Sequence, residues 1–156
     1  MIRFGVSDLM GWIIKPPSLD GSNVAWNHQS RERGERPIAN NIVLVVERLR
    51  KHYGVSNLVV VRDANLHHEV PDPESLDLIK QTCDHQIAPA GTDADEMVLH
   101  LVEKKGCILI SNDKYAEWRN HSEWLASNID RLMFGVRVEN SVAVFDDAIE
   151  ELKALT

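Results

Sequence analysis

Three aspartates stand where a carboxylate is poorly placed for packing and well placed for a metal ion. Asp20 ends a predicted strand, Asp113 follows the strand-like run at residues 107–111, and Asp95 lies in the first turn of a predicted helix. Hard divalent cations prefer oxygen ligands, usually one or two carboxylates together with water and substrate phosphates. Such a cation lowers the pKa of bound water and stabilises charge on a transferring phosphoryl group. The three aspartates therefore predict a metal site suited to phosphodiester hydrolysis.

Each of these acids also has a structural interpretation. Asp20 can hydrogen-bond within its own turn, and Asp95 occupies a first-turn position that the helix macrodipole favours for an acid. Asp113 can cap a helix predicted at residues 114–118. Taken singly, the structural role is favoured for each acid. Taken together, Asp20 and Asp113 both follow apolar strands, and this favours a shared pocket.

Two further acids are left open as members of that pocket. Asp63 follows the apolar run at residues 57–62 and fits either the pocket or the start of a turn. Asp93 forms a D-x-x-E pattern with Glu96, so it is expected to cap a helix rather than bind the metal. A nucleophilic enzyme is poorly supported, because the chain has no G-x-S-x-G elbow, no P-loop and no G-x-G-x-x-G motif.

The order of elements along the chain predicts an α/β fold. Apolar residues recur at helical spacing within residues 37–52, whereas continuous apolar runs are typical of strands covered on both faces. Strands that alternate with helices predict a three-layer α/β/α sandwich with a mostly parallel central sheet. The predicted strands are 16–20, 57–62, 85–90 and 107–111, and the predicted helices are 37–52, 72–83, one from 93, one or two around 118–129, and 146–155.

The segments between these elements give weaker signals. Residues 21–36 are expected to form a polar loop, and residues 67–69 a solvated loop rather than a zinc site. Residues 133–138 and 142–145 form either a hairpin or a strand with a connector. Because proline cannot donate to a central ladder, the first strand must be very short or must begin its pairing after Pro17. Gly54 is expected to end the helix before it.

Composition is ordinary for a globular domain, at 156 residues with 44% hydrophobic and 26% charged residues. No apolar run approaches the ~20 residues that cross a bilayer, and the start does not read as a signal peptide. The isolated cysteines Cys83 and Cys107 predict a cytoplasmic setting without a membrane. The net charge of −7 opposes nucleic-acid binding. A bound cation and the arginines of residues 31–36 would supply positive charge locally.

Three motifs carry a resemblance to a known family. Residues 19–25 (LDGSNVA) resemble the D-G-S-N-V-A signature of Regnase-type ribonucleases, the NYN branch of the PIN-like nucleases. Asp95 before the apolar residues 97–99 resembles the acidic helix start of that family, and residues 111–115 (SNDKY) resemble its S-N-D-x-Y motif. The likeness runs from about Leu19 to Asp147.

The resemblance implies a PIN-like domain whose acidic pocket holds Mg²⁺ or Mn²⁺ and cuts single-stranded or loop RNA. It implies catalytic roles for Asp20, Asn23, Asp95 and Asp113, with the three aspartates as the metal ligands and Asn23 orienting a water or a phosphate. The expected substrate contacts are Ser22, Arg36, Ser111, Asn112 and Lys114. Residues 1–156 are expected to form one such domain, with residues 1–15 as an atypical N-terminal extension.

The chain also departs from the family pattern. The animal enzymes carry two adjacent acids at the helix start, whereas this chain has Ala94 before Asp95 and no CCCH zinc finger. An alternative function is a non-catalytic RNA- or protein-binding module that retains the acidic pocket. A third is a toxin controlled by an antitoxin-like partner. A homodimer is a further expectation, since PIN-like domains often pair.

Overall fold

The computed structural model describes residues 16–53 and 57–145. The expected N-terminal extension at residues 1–15, the expected stop at Gly54 and the expected helix at residues 146–155 lie outside the described residues. Within the described ranges, no helix combines the length and the apolar character that a membrane crossing requires.

A five-stranded sheet forms the centre of the fold. Its strands are β1 (Ser18–Asp20), β2 (Val59–Asp63), β3 (Asp84–Ala88), β4 (Leu109–Ile110) and β5 (Met133–Phe134). The strand order is β3-β2-β1-β4-β5, and every neighbouring pair is parallel. This confirms the predicted parallel sheet and places β1 at its centre. The buried apolar runs of β2 and β4 account for those two strands being recognisable in the sequence.

Helices cover both faces of this sheet. They are α1 (Gly21–Ala25), α2 (Asn40–Tyr53), α3 (Leu66–Glu69), α4 (Pro73–Thr82), α5 (Ala94–Lys105) and α6 (Glu123–Leu132). The chain winds from β1 to β3 in one direction and then crosses to β4 and β5. Because such crossovers are right-handed, α2 and α4 lie on one face, and α5 and α6 on the other. The contacts within each pair agree with this, and the three-layer sandwich is confirmed.

The first strand is as short as its prolines require. Pairing of β1 begins immediately after Pro17, where the backbone N–H of Ser18 donates to the carbonyl oxygen of Ile108 at 2.9 Å. Pro17 takes part only through its carbonyl oxygen, which accepts from the N–H of Val59 at 3.0 Å. Proline can therefore precede a central strand here without breaking a ladder bond.

The C-terminal part of the described chain is a hairpin. Strands β6 (Val136–Glu139) and β7 (Val142–Phe145) are antiparallel and form a separate sheet that contacts α2. The two turn residues Asn140 and Ser141 have φ values of 51° and 62°, which is the pattern of a type I′ turn. Of the two alternatives, the hairpin is correct, and the predicted strand at 133–138 divides at Gly135 into β5 and β6.

Three predicted segments are wrong in part. Residues 21–25 form helix α1 rather than the start of a polar loop, and residues 66–69 form helix α3 rather than a solvated loop. Residues 116–120 form a turn, so Asp113 caps no helix at 114–118. Helices of four or five residues are too short to show a 3.6-residue periodicity, so their positions depend on tertiary contacts.

Gly21 is required by close packing. A Cβ atom at this position would lie 3.0 Å from both Val60 Cγ1 and the carbonyl oxygen of Val61, and 3.5 Å from Ile42 Cδ1. Helix α1 therefore starts in direct contact with β2, and only glycine leaves room for the backbone carbonyl.

We expect Gly21→Ala to lower the free energy of unfolding by about 1–3 kcal/mol, because the new methyl group must displace backbone as well as a side chain. Chemical denaturation followed by circular dichroism measures this change. A midpoint equal to that of the wild type would contradict the packing argument.

Candidate metal centre

The sheet brings two of the predicted acids together at the point where its strand order reverses. After β1 the chain adds β2 and β3 on one side of β1, and it then adds β4 and β5 on the other side. In open α/β sheets, ligands bind in the crevice beyond the carboxyl ends of the strands at such a point. Asp20 ends β1, and Asp113 follows β4 after two residues. Helix α5 begins at the same edge of the sheet and carries Asp95 in its first turn.

The three carboxylates converge on one place. One carboxylate oxygen from each of Asp20, Asp95 and Asp113 lies within 4.8 Å of the other two. Asp20 is buried, whereas Asp95 and Asp113 are half-buried. The donor set consists of oxygen alone, which is the set that suits Mg²⁺ and Mn²⁺. The residues present therefore fit a hard divalent cation.

Asp20 is held by three hydrogen bonds although it is only 3% exposed. The Tyr115 hydroxyl and the Ser111 hydroxyl both donate to Oδ2, the latter at 3.2 Å. The backbone N–H of Asn23 donates to Oδ1 at 3.2 Å, so Asp20 also caps α1. Burial raises the pKa of Asp20 to about 6, although these donors oppose the shift.

Asp95 experiences the charge of the whole cluster. Burial, together with the negative charges of Asp20 and Asp113, raises its pKa to about 7. Asp93 adds a smaller contribution to this shift and serves mainly as a helix cap. Its carboxylate accepts from the Asp95 N–H at 2.9 Å and caps α5, as its D-x-x-E pattern predicts. The cluster thus places negative charges where only a cation would compensate them.

Tyr115 is a site residue for which the sequence predicted no role. It is 2% exposed, and its φ of 50° is uncommon for a residue with a bulky side chain. The Asp113 carboxylate holds this backbone by accepting from the Tyr115 N–H at 2.9 Å. Burial and the charge of Asp20 keep the pKa of Tyr115 well above its usual range, so the hydroxyl stays a donor. The spacing from Ser111 to Tyr115 in SNDKY is the signal that could have found it.

Two asparagines connect the site to the hairpin. Asn23 Oδ1 accepts from the backbone N–H of Asn112 at 2.9 Å. The Asn112 side chain in turn donates to the carbonyl oxygen of Val136 at 2.5 Å and accepts from its N–H at 2.9 Å. The amide of Asn112 is therefore engaged with β6. Its expected substrate contact stays a prediction.

The three acids line a cleft of about 470 Å³. Ser22, Asn23 and Asp63 line this cleft too, as do Trp26 and Arg31. Ser22 Oγ accepts from the backbone N–H of Asp63 at 2.9 Å and so fixes the end of β2. Asp63 thus faces the acidic cleft but does not belong to the three-acid cluster.

Neither of the two cations expected to contact substrate lines the acidic cleft. Arg36 donates to the carbonyl oxygens of Glu69 and Val70 at 2.8 and 2.9 Å and does not line the acidic cleft. Lys114 is next to Asp113 in the chain and is not among the residues that line the cleft. Arg31 is the arginine of this loop that reaches the cleft. Which arginine does so depends on the path of the loop, and neighbouring sequence carries no signal for it.

Comparison with known proteins agrees with this architecture. The family described as the Zc3h12a-like ribonuclease NYN domain matches residues 16–153. The nuclear proteinaceous RNase P 2 (PRORP2) of Arabidopsis thaliana has a similar fold, with a TM-score of 0.63 and 14% identity over 90% of this chain. A second structure of that plant protein gives a TM-score of 0.66 and 16% identity over 90% of this chain. This chain covers 32% of each plant chain. No curated protein matches it in sequence.

The charge of the cluster predicts an unusual stability profile without metal. The folded pKa of Asp95 is about 7 and its ordinary value is 3.8, so the folded state binds the proton more tightly. Stability should therefore fall as the pH rises from about 4 to 7. At about pH 7.5 in EDTA, Asp95→Asn should raise the free energy of unfolding by about 1–2 kcal/mol.

Chemical denaturation at several pH values measures this effect, with Glu96→Gln as the matched control. Glu96 is an exposed acid in the same helical turn, outside the cluster. Equal profiles for Asp95→Asn and the wild type would contradict the electrostatic account.

Proposed function

The chain belongs to the Zc3h12a-like ribonuclease NYN domain family, and we propose that it is an endoribonuclease that uses Mg²⁺ or Mn²⁺ to cut single-stranded or loop RNA. The observation that carries this proposal is the convergence of three carboxylates at the strand-order reversal, inside a cleft. Such a cluster is costly without a cation and is suited to holding one.

Asp20, Asp95 and Asp113 are the residues that would hold the cation. When bound, a divalent cation supplies an activated water and stabilises negative charge on a phosphate. Asp20 gives the most fixed of the three carboxylates, because Tyr115, Ser111 and the Asn23 N–H orient both of its oxygens. We assign Tyr115 and Ser111 as positioning residues that act through Asp20.

Asn23 is suited to orient a water or a phosphate. The backbone N–H of Asn112 holds its amide oxygen, so its NH₂ group is the part offered to a ligand in the cleft. For the RNA backbone we propose Arg31, which lines the cleft, and Lys114, which directly follows Asp113 in the chain. Ser22 supports the cleft by fixing the end of β2.

The remaining expectations concern partners and location. Cys83 and Cys107 both carry free thiols, which supports the expected cytoplasmic setting. A homodimer and a toxin role stay predictions.

We expect purified protein to cut a labelled, unstructured RNA in Mg²⁺ or Mn²⁺ and to stop on addition of EDTA. Asp20→Asn and Asp113→Asn should each lower kcat/KM by about 100-fold or more, because each removes a metal ligand. Asp77→Asn is the matched control, since it removes an exposed acid on α4. RNA that is bound but never cut would instead support the non-catalytic binding module.

We also expect Tyr115→Phe to lower the apparent affinity for the metal by about 10- to 100-fold, because groups that orient a metal ligand have effects of this size. The variant keeps the aromatic ring in the core and loses only the hydroxyl, which contacts both Asp20 and Ser111. Cleavage rates across a Mn²⁺ titration measure this change. If the titration curve of Tyr115→Phe equals that of the wild type, Tyr115 does not position the carboxylate.

A further inference from the structure

Trp26 lies between the acidic cleft and a second groove. The acidic cleft ends at Trp26 and Arg31, and the same two side chains line the neighbouring groove together with Arg36, His68 and Glu69. Trp26 is half-buried and directly follows α1, whose N-cap is Asp20. An aromatic wall is therefore built onto the same short helix as the candidate metal ligand.

Arg31 covers the face of this ring. Its guanidinium carbon lies 4.1 Å from the centroid of the Trp26 ring, and its Nη1 lies 2.7 Å from Glu69 Oε2. The Arg31 side chain is 67% exposed, so solvent screens this ion pair. A phosphate can replace Glu69 as the partner of Arg31 at little cost, because Arg binds phosphate with the same two-pronged geometry as a carboxylate.

The other two arginines of the loop are bound differently. Arg36 donates from two of its nitrogens to backbone carbonyl oxygens at the end of α3, and this holds Glu69 beside the loop. Arg33 pairs with Glu35 at 2.6 Å and donates to the carbonyl oxygen of His28. Both contacts tie the loop to itself or to α3. Arg31 differs from these two because its partner is one side chain on α3 and because it reaches the acidic cleft.

We propose that Trp26 is the stacking platform for the nucleobase next to the phosphate that is cut, and that Arg31 moves from the ring to an RNA phosphate when the substrate binds. This inference rests on the proposed function. A base can stack on Trp26 only if it is unpaired, so the platform selects single-stranded or loop RNA. Stacking accepts every base and therefore favours flexible strands over a particular sequence.

The first test separates binding from chemistry. Trp26→Leu should raise KM for an unstructured RNA by about 10- to 100-fold with little change in kcat, and Trp26→Phe should restore most of the loss. Trp124→Leu, which removes another half-buried indole on α6, is the matched control. A fall in kcat with unchanged KM, or equal effects of Trp26→Leu and Trp124→Leu, would overturn the platform.

The second test locates the base. A series of RNAs, each with one abasic position near the mapped cut site, should show one adjacent position where the wild type loses about 10-fold or more. Trp26→Leu should be insensitive at that position, because ring and base contribute through the same contact. If the loss from the abasic position and the loss from Trp26→Leu add when the two changes are combined, the assignment is overturned.

The third test concerns the displacement of Arg31. Glu69→Gln should lower KM by about 2- to 5-fold, since it removes the competitor for Arg31. Glu47→Gln makes the same charge change on the exposed side of α2 and is the control. Equal effects of the two variants would show that Arg31 does not exchange partners.

Failure of this inference is distinguishable from failure of the nuclease proposal. A wild type that cuts RNA, with Trp26→Leu kinetically identical to it, overturns the platform and keeps the nuclease. If the wild type cuts no RNA, the nuclease proposal fails. RNA binding, followed by tryptophan fluorescence, then tests the platform separately. RNA that quenches tryptophan fluorescence in the wild type and not in Trp26→Phe supports the platform. Equal quenching in both overturns it.

Discussion

The site depends on one buried carboxylate at the end of the central strand. Asp20 is 3% exposed and accepts hydrogen bonds from Tyr115, Ser111 and the Asn23 N–H. To place it there, the chain starts β1 directly after Pro17 and packs α1 tightly against β2 at Gly21. The parallel order with β4 beside β1 then brings Asp113 to the same edge of the sheet. A change in any of these features would move the carboxylate away from its partners.

The clustered, buried carboxylates lower the free energy of unfolding and at the same time form a binding site. Burial raises the pKa of Asp20 to about 6 and that of Asp95 to about 7. Near neutral pH the folded protein therefore holds buried charges that repel one another, and unfolding would relieve both the repulsion and the burial. The left-handed backbone of Tyr115 is a second departure from an unstrained fold, and it lies in the same place. Local conflicts of this kind concentrate at functional sites. A bound cation would relieve the repulsion between the carboxylates.

The sequence predicted those parts of the molecule that short-range patterns determine. The apolar runs of β2 and β4 and the periodicity of α2 were recognisable because burial on both faces, or on one stripe, leaves a regular signature. The three acids were recognisable because each stands at the end or the start of such an element. Helix α1 was missed because its five residues are stabilised by packing and by its Asp20 cap rather than by periodicity. The sequence carried no signal that Arg31, rather than Arg36, lines the cleft, because the path of a loop is determined by distant contacts, here those with α3.

The central claim is that Asp20, Asp95 and Asp113 hold one divalent cation. The most direct measurement is an anomalous difference map from crystals of the wild-type protein soaked in Mn²⁺. We predict a strong peak coordinated by oxygens of all three aspartates. If no peak lies between them at a Mn²⁺ concentration that supports RNA cleavage, or if the ion lies at another site, the shared cation site is contradicted.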